Sequence, residues 1–392
     1  MARIFAKTEA DVVDAVRAAR ERTSTLEIVG AGTKRELGRP LACDDVLDLS
    51  GLSGIVNYEP DELVITVKAG TKIAEIEEVV VRKNQRLGFG PADLGLFYGI
   101  APNSATVGGV LSADASGSLA VRYGRARNHL LGFRAVNGFG EAYKAGGHVV
   151  KNVTGFDLPK LMCGAFGTLG ALTEVTLRLV PKPVRSAVFA VRDLDQEEGL
   201  ALLRRIWASP LEPVSLAYIP AALRSSSLRD FGNGIALVRL EGEAASLAEK
   251  IAALNGLHEA FAELEGAPDL FDALKNIGPL TDGTSDVWRV IVPPAQANAI
   301  VDELDTPQWY ADCAGGVLWF AREATRESAR HIHAVAAKAG GNALLMRASR
   351  ERRAALAVFS PEDETRTVLT RTVKAAFDPL HLFNPGRMFE GV

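Results

Sequence analysis

Residues 106–117 read Thr-Val-Gly-Gly-Val-Leu-Ser-Ala-Asp-Ala-Ser-Gly, a stretch in which almost every side chain is small. Interiors are close-packed, so an element that rests on protein normally carries larger side chains. A run of Gly, Ala and Ser lets backbone approach either a flat, extended ligand or another backbone. Both readings stay open at this point. The run has company: the chain holds 37 glycines, and they crowd the first 170 residues, at 30–38, 88–99, 108–147 and 155–170. Neither a collagen-like period nor a repeat of 20–50 residues accompanies them.

Between the glycine tracts, β-rich runs predict strands at 26–29, 63–69, 131–137 and 172–180. In the last, Val175, Leu177 and Leu179 alternate with Thr176 and Arg178. Helical spacing predicts helices over 9–20, with Thr8 as N-cap, and over 72–83. Pro181 and Pro183 mark a boundary, because prolines so close interrupt a strand ladder. Beyond it the pattern predicts strand 187–191, helix 196–208, strands 214–219 and 235–240, and helix 244–253. A second round follows: strand 287–292, helix 295–304, strands 309–312 and 316–320, helix 325–339, strand 343–346. Two successive β-α-β-β-α units imply one antiparallel sheet with helices on one face, a ferredoxin-like cap. A helix is expected over 361–376. The tail 377–389 is too apolar and Pro/Gly-marked for a loose terminus and should fold back on the first domain. The expected class is α+β, with domains at 1–183, 184–347 and 348–392.

A net charge of −4 and a pI near 6.0 leave no electrostatic footprint for nucleic acid. Three scattered cysteines, Cys43, Cys163 and Cys313, form no CxxC pair and suit a reducing compartment. No run approaches the ~20 apolar residues of a membrane span, and residues 1–14 lack the core of a signal peptide. A cytoplasmic protein is expected.

Residues 28–35, Ile-Val-Gly-Ala-Gly-Thr-Lys-Arg, follow a predicted strand. A dinucleotide fingerprint wants a third glycine where Arg35 stands and a helix where Pro40 follows, so a nicotinamide reading fails. No Gly-Lys-Ser/Thr sequence supports a phosphate loop of the Walker type. What survives is a turn whose N–H groups surround a phosphate beside Lys34, or a turn that binds nothing. A third tract of small residues spans 151–170, with Gly155 and Gly167.

In order and composition, residues 30–34, 106–117, 122–124, 151–158, 167–173 and the tail 383–387 resemble the vanillyl-alcohol-oxidase-type (PCMH-type) FAD-binding superfamily. Within it they are similar to the family of FAD-binding E subunits of bacterial glycolate oxidase. The resemblance implies a two-subdomain FAD-binding domain followed by the cap. It implies a pyrophosphate loop at Gly30, Ala31, Gly32, Thr33 and Lys34. Covalent members tend to carry histidine where Thr33 stands, so the FAD should be non-covalent. Pro102, Thr106, Gly108, Gly109, Ser112, Ala113, Ser116 and Gly117 would line the cofactor, joined by Gly155, Leu172 and Asn384. The sequence departs from the family pattern at Phe156, often tyrosine, and at Ala165-Phe166, where serine is usual.

Oxidation of a 2-hydroxy acid on a flavin needs a base for the hydroxyl proton and cations for the carboxylate. His148 beside the third tract is a candidate base or a backbone-bonded loop histidine. Arg387 is a candidate cation at the flavin pyrimidine or an anchor for the tail, and His381 touches the flavin edge or packs. The His-x-Gly-Asp-Gly-Asn-x-His metal stretch of related oxidising subunits is missing from the sequence. His331 and His333, two apart on a helix, are poor joint ligands and read as surface histidines, so no metal site is assigned. The arginines at 347, 350, 352 and 353 read as a solvated cluster or a face for an acidic partner.

The expected function is therefore that of an FAD-binding subunit of a glycolate oxidase complex. The resemblance implies a second FAD-containing subunit and an iron–sulfur subunit as partners; three cysteines are too few for this chain to hold a [4Fe–4S] cluster itself, so electrons leave through another protein or a soluble acceptor. Any membrane association would be peripheral, through the complex. The alternatives are a free-standing FAD-dependent oxidoreductase of D-lactate- or glycolate-like 2-hydroxy acids, and a flavin-binding scaffold without catalysis.

Overall fold

The computed structural model describes residues 1–147, 156–223, 234–264, 268–281 and 285–392. It divides into two compact units. The first comprises Met1–Ser116, Arg125–Lys182 and Glu362–Val392, and the second Gly117–Gly124 and Pro183–Pro361.

The first unit begins with β1 (Arg3–Phe5), α1 (Glu9–Arg22), β2 (Leu26–Val29) and β3 (Asp45–Asp48). Thr8 and Asp11 form a reciprocal capping box that starts α1, and Thr23 in the left-handed region ends it. The three strands make a parallel sheet in the order β1-β3-β2. Next come β4 (Ile55–Glu59), β5 (Val64–Lys68), α2 (Ile73–Val81), β6 (Gln85–Arg86) and α3 (Val107–Ser112). The short helix α4 (Ala120–Tyr123), in the segment that belongs to the second unit, leads to β7 (Leu130–Val136) and β8 (Ala142–Gly146). Then α5 (Leu158–Met162), β9 (Ala171–Arg178) and β10 (Val180–Pro181) follow. A five-stranded sheet runs β4-β5-β9-β7-β8, antiparallel throughout. Helix α1 lies between the two sheets: Val12, Val16 and Ala19 pack with Leu26 and Leu47 on one side and Val136 and Ala171 on the other. Strand β9 is buried on both faces, not one. Thr176 turns inward and satisfies its hydroxyl on Thr66 at 3.0 Å.

The second unit carries β11 (Arg185–Arg192), α6 (Gln196–Trp207), β12 (Ser215–Ile219), β13 (Ile235–Gly242), α7 (Ala244–Leu257), β14 (Ala262–Glu263) and α8 (Pro268–Lys275). It continues through β15 (Val287–Ile291), α9 (Ala297–Leu304), β16 (Trp309–Asp312), β17 (Val317–Ala321), α10 (Arg326–Lys338), β18 (Asn342–Arg347) and α11 (Arg350–Ala355). Its strands form one antiparallel sheet in the order β14-β11-β13-β12-β16-β17-β15-β18. Helix α6 packs on β12 and β13, α10 on β18, and α9 touches both helices.

The unit edges differ from the expected boundaries in two places. Residues 348–361 pack with the second unit, because the chain after α11 runs beside β18: Leu345 N donates to Val358 O and Ser360 N to Ala343 O. Residues 117–124 do so because Ser118 Oγ bonds Asp312 at 2.7 Å and Arg122 pairs with Glu212 at 2.8 Å.

The last helix, α12 (Glu364–Phe377), and the tail close the first unit. Phe383 bridges to Leu26 in parallel, Leu26 N donates to Leu382 O at 2.7 Å, and Asn384 N donates to Leu26 O at 3.0 Å. The tail extends the edge of the parallel sheet as a short added strand.

Candidate functional site

Four short segments of the first unit converge on one cleft: the turn after β2, helix α3, the turn leading into β9 and the tail. Its lining includes residues 27–30 and 32–35, Thr106, Gly108, Gly109, Ser112, Ala113, Phe166, Gly167, Gly170, Leu172, Asn384 and Arg387. The cleft encloses about 760 Å³, part of it open to solvent.

The turn is built for an anion. Gly32 sits at φ +78°, where L side chains are strained. Among the described residues, no protein group accepts the amide N–H of Ala31, Gly32, Thr33 or Lys34. The Lys34 ammonium bonds the Thr33 hydroxyl at 3.1 Å. Burial pushes it down to about 8, opposed by the carboxylate of Asp93. Consecutive amides plus a desolvated ammonium favour a phosphate or diphosphate. The turn is held from below by the buried Glu27, which takes both Nε and Nη2 of Arg35; the pair raises the Arg35 guanidinium further. The sequence does not single out Glu27, and marks Arg35 only as the residue in place of a third glycine, because the pairing straddles the turn.

The small residues of 106–113 have two different causes. A Cβ on Gly108 would lie 2.9 Å from the carbonyl of Ala69, so that glycine answers to a protein backbone crossing. A Cβ on Gly109 would meet only Thr106 Oγ1, at 3.2 Å, and the position faces the cleft. Gly30 admits the Thr106 hydroxyl, which would stand 2.3 Å from its Cβ.

The tail supplies the far wall. Asn384 Oδ1 accepts from Ile28 N at 2.9 Å and its Nδ2 donates to Phe166 O at 2.7 Å, so its amide clasps β2 and the 166–170 turn. Arg387, mostly buried, donates from Nη2 to Lys34 O at 2.8 Å.

The structure thus brings together Gly30, Gly32, Thr33, Lys34, Thr106, Gly108, Gly109, Ser112, Ala113, Leu172, Asn384 and Arg387. Four expected positions lie elsewhere. Ala31 contributes its amide to the turn but its side chain is not in the lining, and Pro102 is exposed on its own loop. The Ser116 hydroxyl accepts from Ala126 N at 2.8 Å, and Gly117 belongs to the second unit. Gly155 and His148 lie outside the described residues. His381 sits half-buried in the tail turn, its amide donating to Asp378 O.

Two further expectations change. His331 and His333 do point apart, but only His331 is superficial. His333 is buried against Trp288, with its ring nitrogens on Ser360 Oγ and Ala357 O. The arginine cluster is largely committed within the unit. Arg347 donates to Leu280 O at 2.8 Å, and Arg352 bridges Asp286 and Glu323. Among the described residues no group of three His, Cys, Asp or Glu is placed to hold a metal, and no helix is long and apolar enough to cross a membrane.

A family model described as FAD binding domain matches residues 2–146. The chain is 30% identical over 365 residues, 93% of its length and 92% of the relative's, to glycolate oxidase subunit GlcE of Escherichia coli (strain K12). It is 25% identical over 383 residues, 88% of this chain and 79% of the relative, to glycolate oxidase subunit GlcD of Bacillus subtilis (strain 168). Among solved structures, 4-ethylphenol oxidase from Gulosibacter chungangensis shares the fold. Its TM-score is 0.74 at 16% identity, covering 99% of this chain and 89% of that one.

The family model and the relatives identify an FAD-linked oxidoreductase, and the donor set of the cleft fits FAD: free amides and an ammonium for the diphosphate, and unobstructed backbone at Gly109 for a flat ring. The chain carries an FAD binding domain and belongs to the family of glycolate oxidase subunit GlcE, to which it is similar along nearly its whole length.

Proposed function

We propose that this chain is the FAD-carrying E-type subunit of a glycolate-oxidising complex, in which it relays electrons to or from partner subunits. The observation that carries the reading is the 30% identity across 93% of the chain to a protein named as a glycolate oxidase subunit, combined with a cleft that accommodates FAD. The 25% identity to a D-type subunit fits a second, related flavoprotein as one partner. The family resemblance implies an iron–sulfur subunit as the other, and three cysteines are too few for this chain to hold a four-thiolate cluster itself.

Bound FAD supplies two-electron oxidation together with one-electron release. The residues of this chain bind and orient it. The amides of Ala31, Gly32, Thr33 and Lys34 and the Lys34 ammonium would hold the diphosphate, and Thr106, Gly109 and Ser112 would line the space for the ring system. Leu172 presents backbone from the start of β9, and Arg387 holds the Lys34 turn in place. Threonine at position 33 stands where covalent members of the resembled superfamily tend to carry the linking histidine, which supports a cofactor held non-covalently. The substrate of the complex is a small 2-hydroxy acid. The sequence lacks the histidine-rich metal stretch, which supports oxidation of that acid on the partner.

The test mixes purified chain with glycolate and with D-lactate, then photoreduces it and adds the partner subunits. Slow or absent reduction by either acid, with rapid electron transfer to the partners, is expected. Turnover at about 1–10³ per second by the isolated chain would make it a free-standing oxidoreductase. Acid precipitation should leave FAD in the supernatant; colour retained on the pellet would overturn the non-covalent reading.

A further inference from the structure

Helix α12 is a surface helix in which one side chain alone is buried, and that side chain is a lysine. Lys374 is fully buried, as is Asp378 one turn later. Its ammonium has three N–H groups and the structure gives it three acceptors: Thr168 O at 2.6 Å, Asp378 Oδ2 at 2.7 Å and Phe383 O at 2.9 Å. The carboxylate is equally engaged. Asp378 Oδ1 accepts from Leu382 N at 2.9 Å and Oδ2 from Phe383 N at 2.8 Å. Gly138 makes room for it, since a Cβ there would stand 2.4 Å from Asp378 Oδ1.

What this pair ties together is the cleft. Thr168 lies between Phe166, Gly167 and Gly170, all of which line it, and Phe383 precedes Asn384, which lines it from the tail. One ammonium therefore grips both segments through their backbone carbonyls. A buried ion pair is weak grounds for stability as such, because desolvating two charges offsets much of their attraction. An apolar pair of similar volume would pack α12 as well, but could not hold two carbonyls at a fixed separation.

We infer that Lys374, neutralised by Asp378, is a positioning residue for the FAD cleft: it sets the spacing between the 166–170 turn and the tail. The inference rests on the FAD cleft and is independent of which complex the chain joins.

The experiment measures FAD affinity of the full-length apoprotein by quenching of FAD fluorescence, and the flavin absorption band of the reconstituted protein. Three variants are used: Lys374→Met, the charge-neutral pair Lys374→Met with Asp378→Asn, and Ile76→Ala as a control in the buried face of α2. The double variant carries no unpaired buried charge and keeps the test alive if the single variant does not fold. The double variant is expected to raise the FAD Kd at least tenfold and to shift or broaden the flavin band. Ile76→Ala should lower thermal stability and leave Kd within about twofold. Wild-type Kd and band shape in the double variant would overturn the inference and leave the pair as a fastening of α12. An equal rise of Kd in Ile76→Ala would do the same, since FAD affinity would then track stability alone.

Discussion

Arg387 and Lys34, 353 residues apart, meet through a 2.8 Å hydrogen bond from the guanidinium Nη2 to the lysine carbonyl. The Arg387 carbonyl in turn accepts from Arg39 N at 2.9 Å. The tail therefore braces the C-terminal end of the turn that carries the free amides. Arginine suits the place because it stays charged when buried.

Arg387→Met is expected to loosen that turn. FAD affinity should fall about tenfold and the melting temperature by a few degrees, with the flavin midpoint potential nearly unchanged. A dye-coupled redox titration beside a binding isotherm decides the matter. A potential lowered by tens of millivolts at unchanged affinity would place the guanidinium at the flavin pyrimidine instead.

The neighbouring glycines of α3 should separate two kinds of failure. Gly109→Val puts a side chain into the cleft, so flavin content should drop to near zero while circular dichroism and melting stay close to wild type. Gly108→Ala drives a Cβ to 2.9 Å from a backbone carbonyl, and should destabilise the fold by about 1–3 kcal/mol. Similar flavin loss and similar melting in both variants would contradict this division.

Lys34 predicts a pH dependence. In the open cleft its ammonium titrates near 8, and a bound diphosphate raises that value. The protonated form is the one that binds, so affinity is nearly full at pH 7, about halved at pH 8 and declines further above it. Between pH 7 and pH 9 the FAD Kd should weaken about tenfold, following proton linkage at a single site. Lys34→Met should bind more weakly at pH 7 and show a flat profile. A wild-type profile that is flat from 7 to 9 would remove Lys34 from diphosphate binding.

Asp312 gives the second unit a pH signature of its own. Burial lifts its carboxyl from 3.8 to about 6, against hydrogen bonds from Ser118 and the Cys313 amide. The folded chain then holds a proton that the unfolded chain has released, so stability falls as pH rises from about 4 to 6 and is level beyond. The deficit at neutral pH is on the order of 3 kcal/mol. Asp312→Asn removes it, and should raise the melting temperature at pH 7.5 by more than at pH 4.5. An equal change at both values would mean that the carboxyl titrates normally.

The sequence by itself determined the elements whose cause is local. Helix 196–208 was expected and α6 spans Gln196–Trp207; strand 309–312 was expected and is β16. Apolar spacing and the caps at Asp195 and Thr325 are written within a few residues of the helices they set. The turn at Gly30 and the small residues of 106–113 were equally legible, since a lack of side chains is visible wherever it occurs. Tertiary structure alone decided what those small residues face: Gly108 a carbonyl of Ala69, Gly109 the cleft, Ser116 an amide of Ala126. It also decided the short strands β1 and β3, which exist only through their parallel pairing with each other and β2. Lys374 carries no local sign at all. On a helix that reads as solvated, a lysine belongs outside, and only the arrival of Thr168 and Phe383 from distant parts of the chain provides acceptors that make its burial affordable.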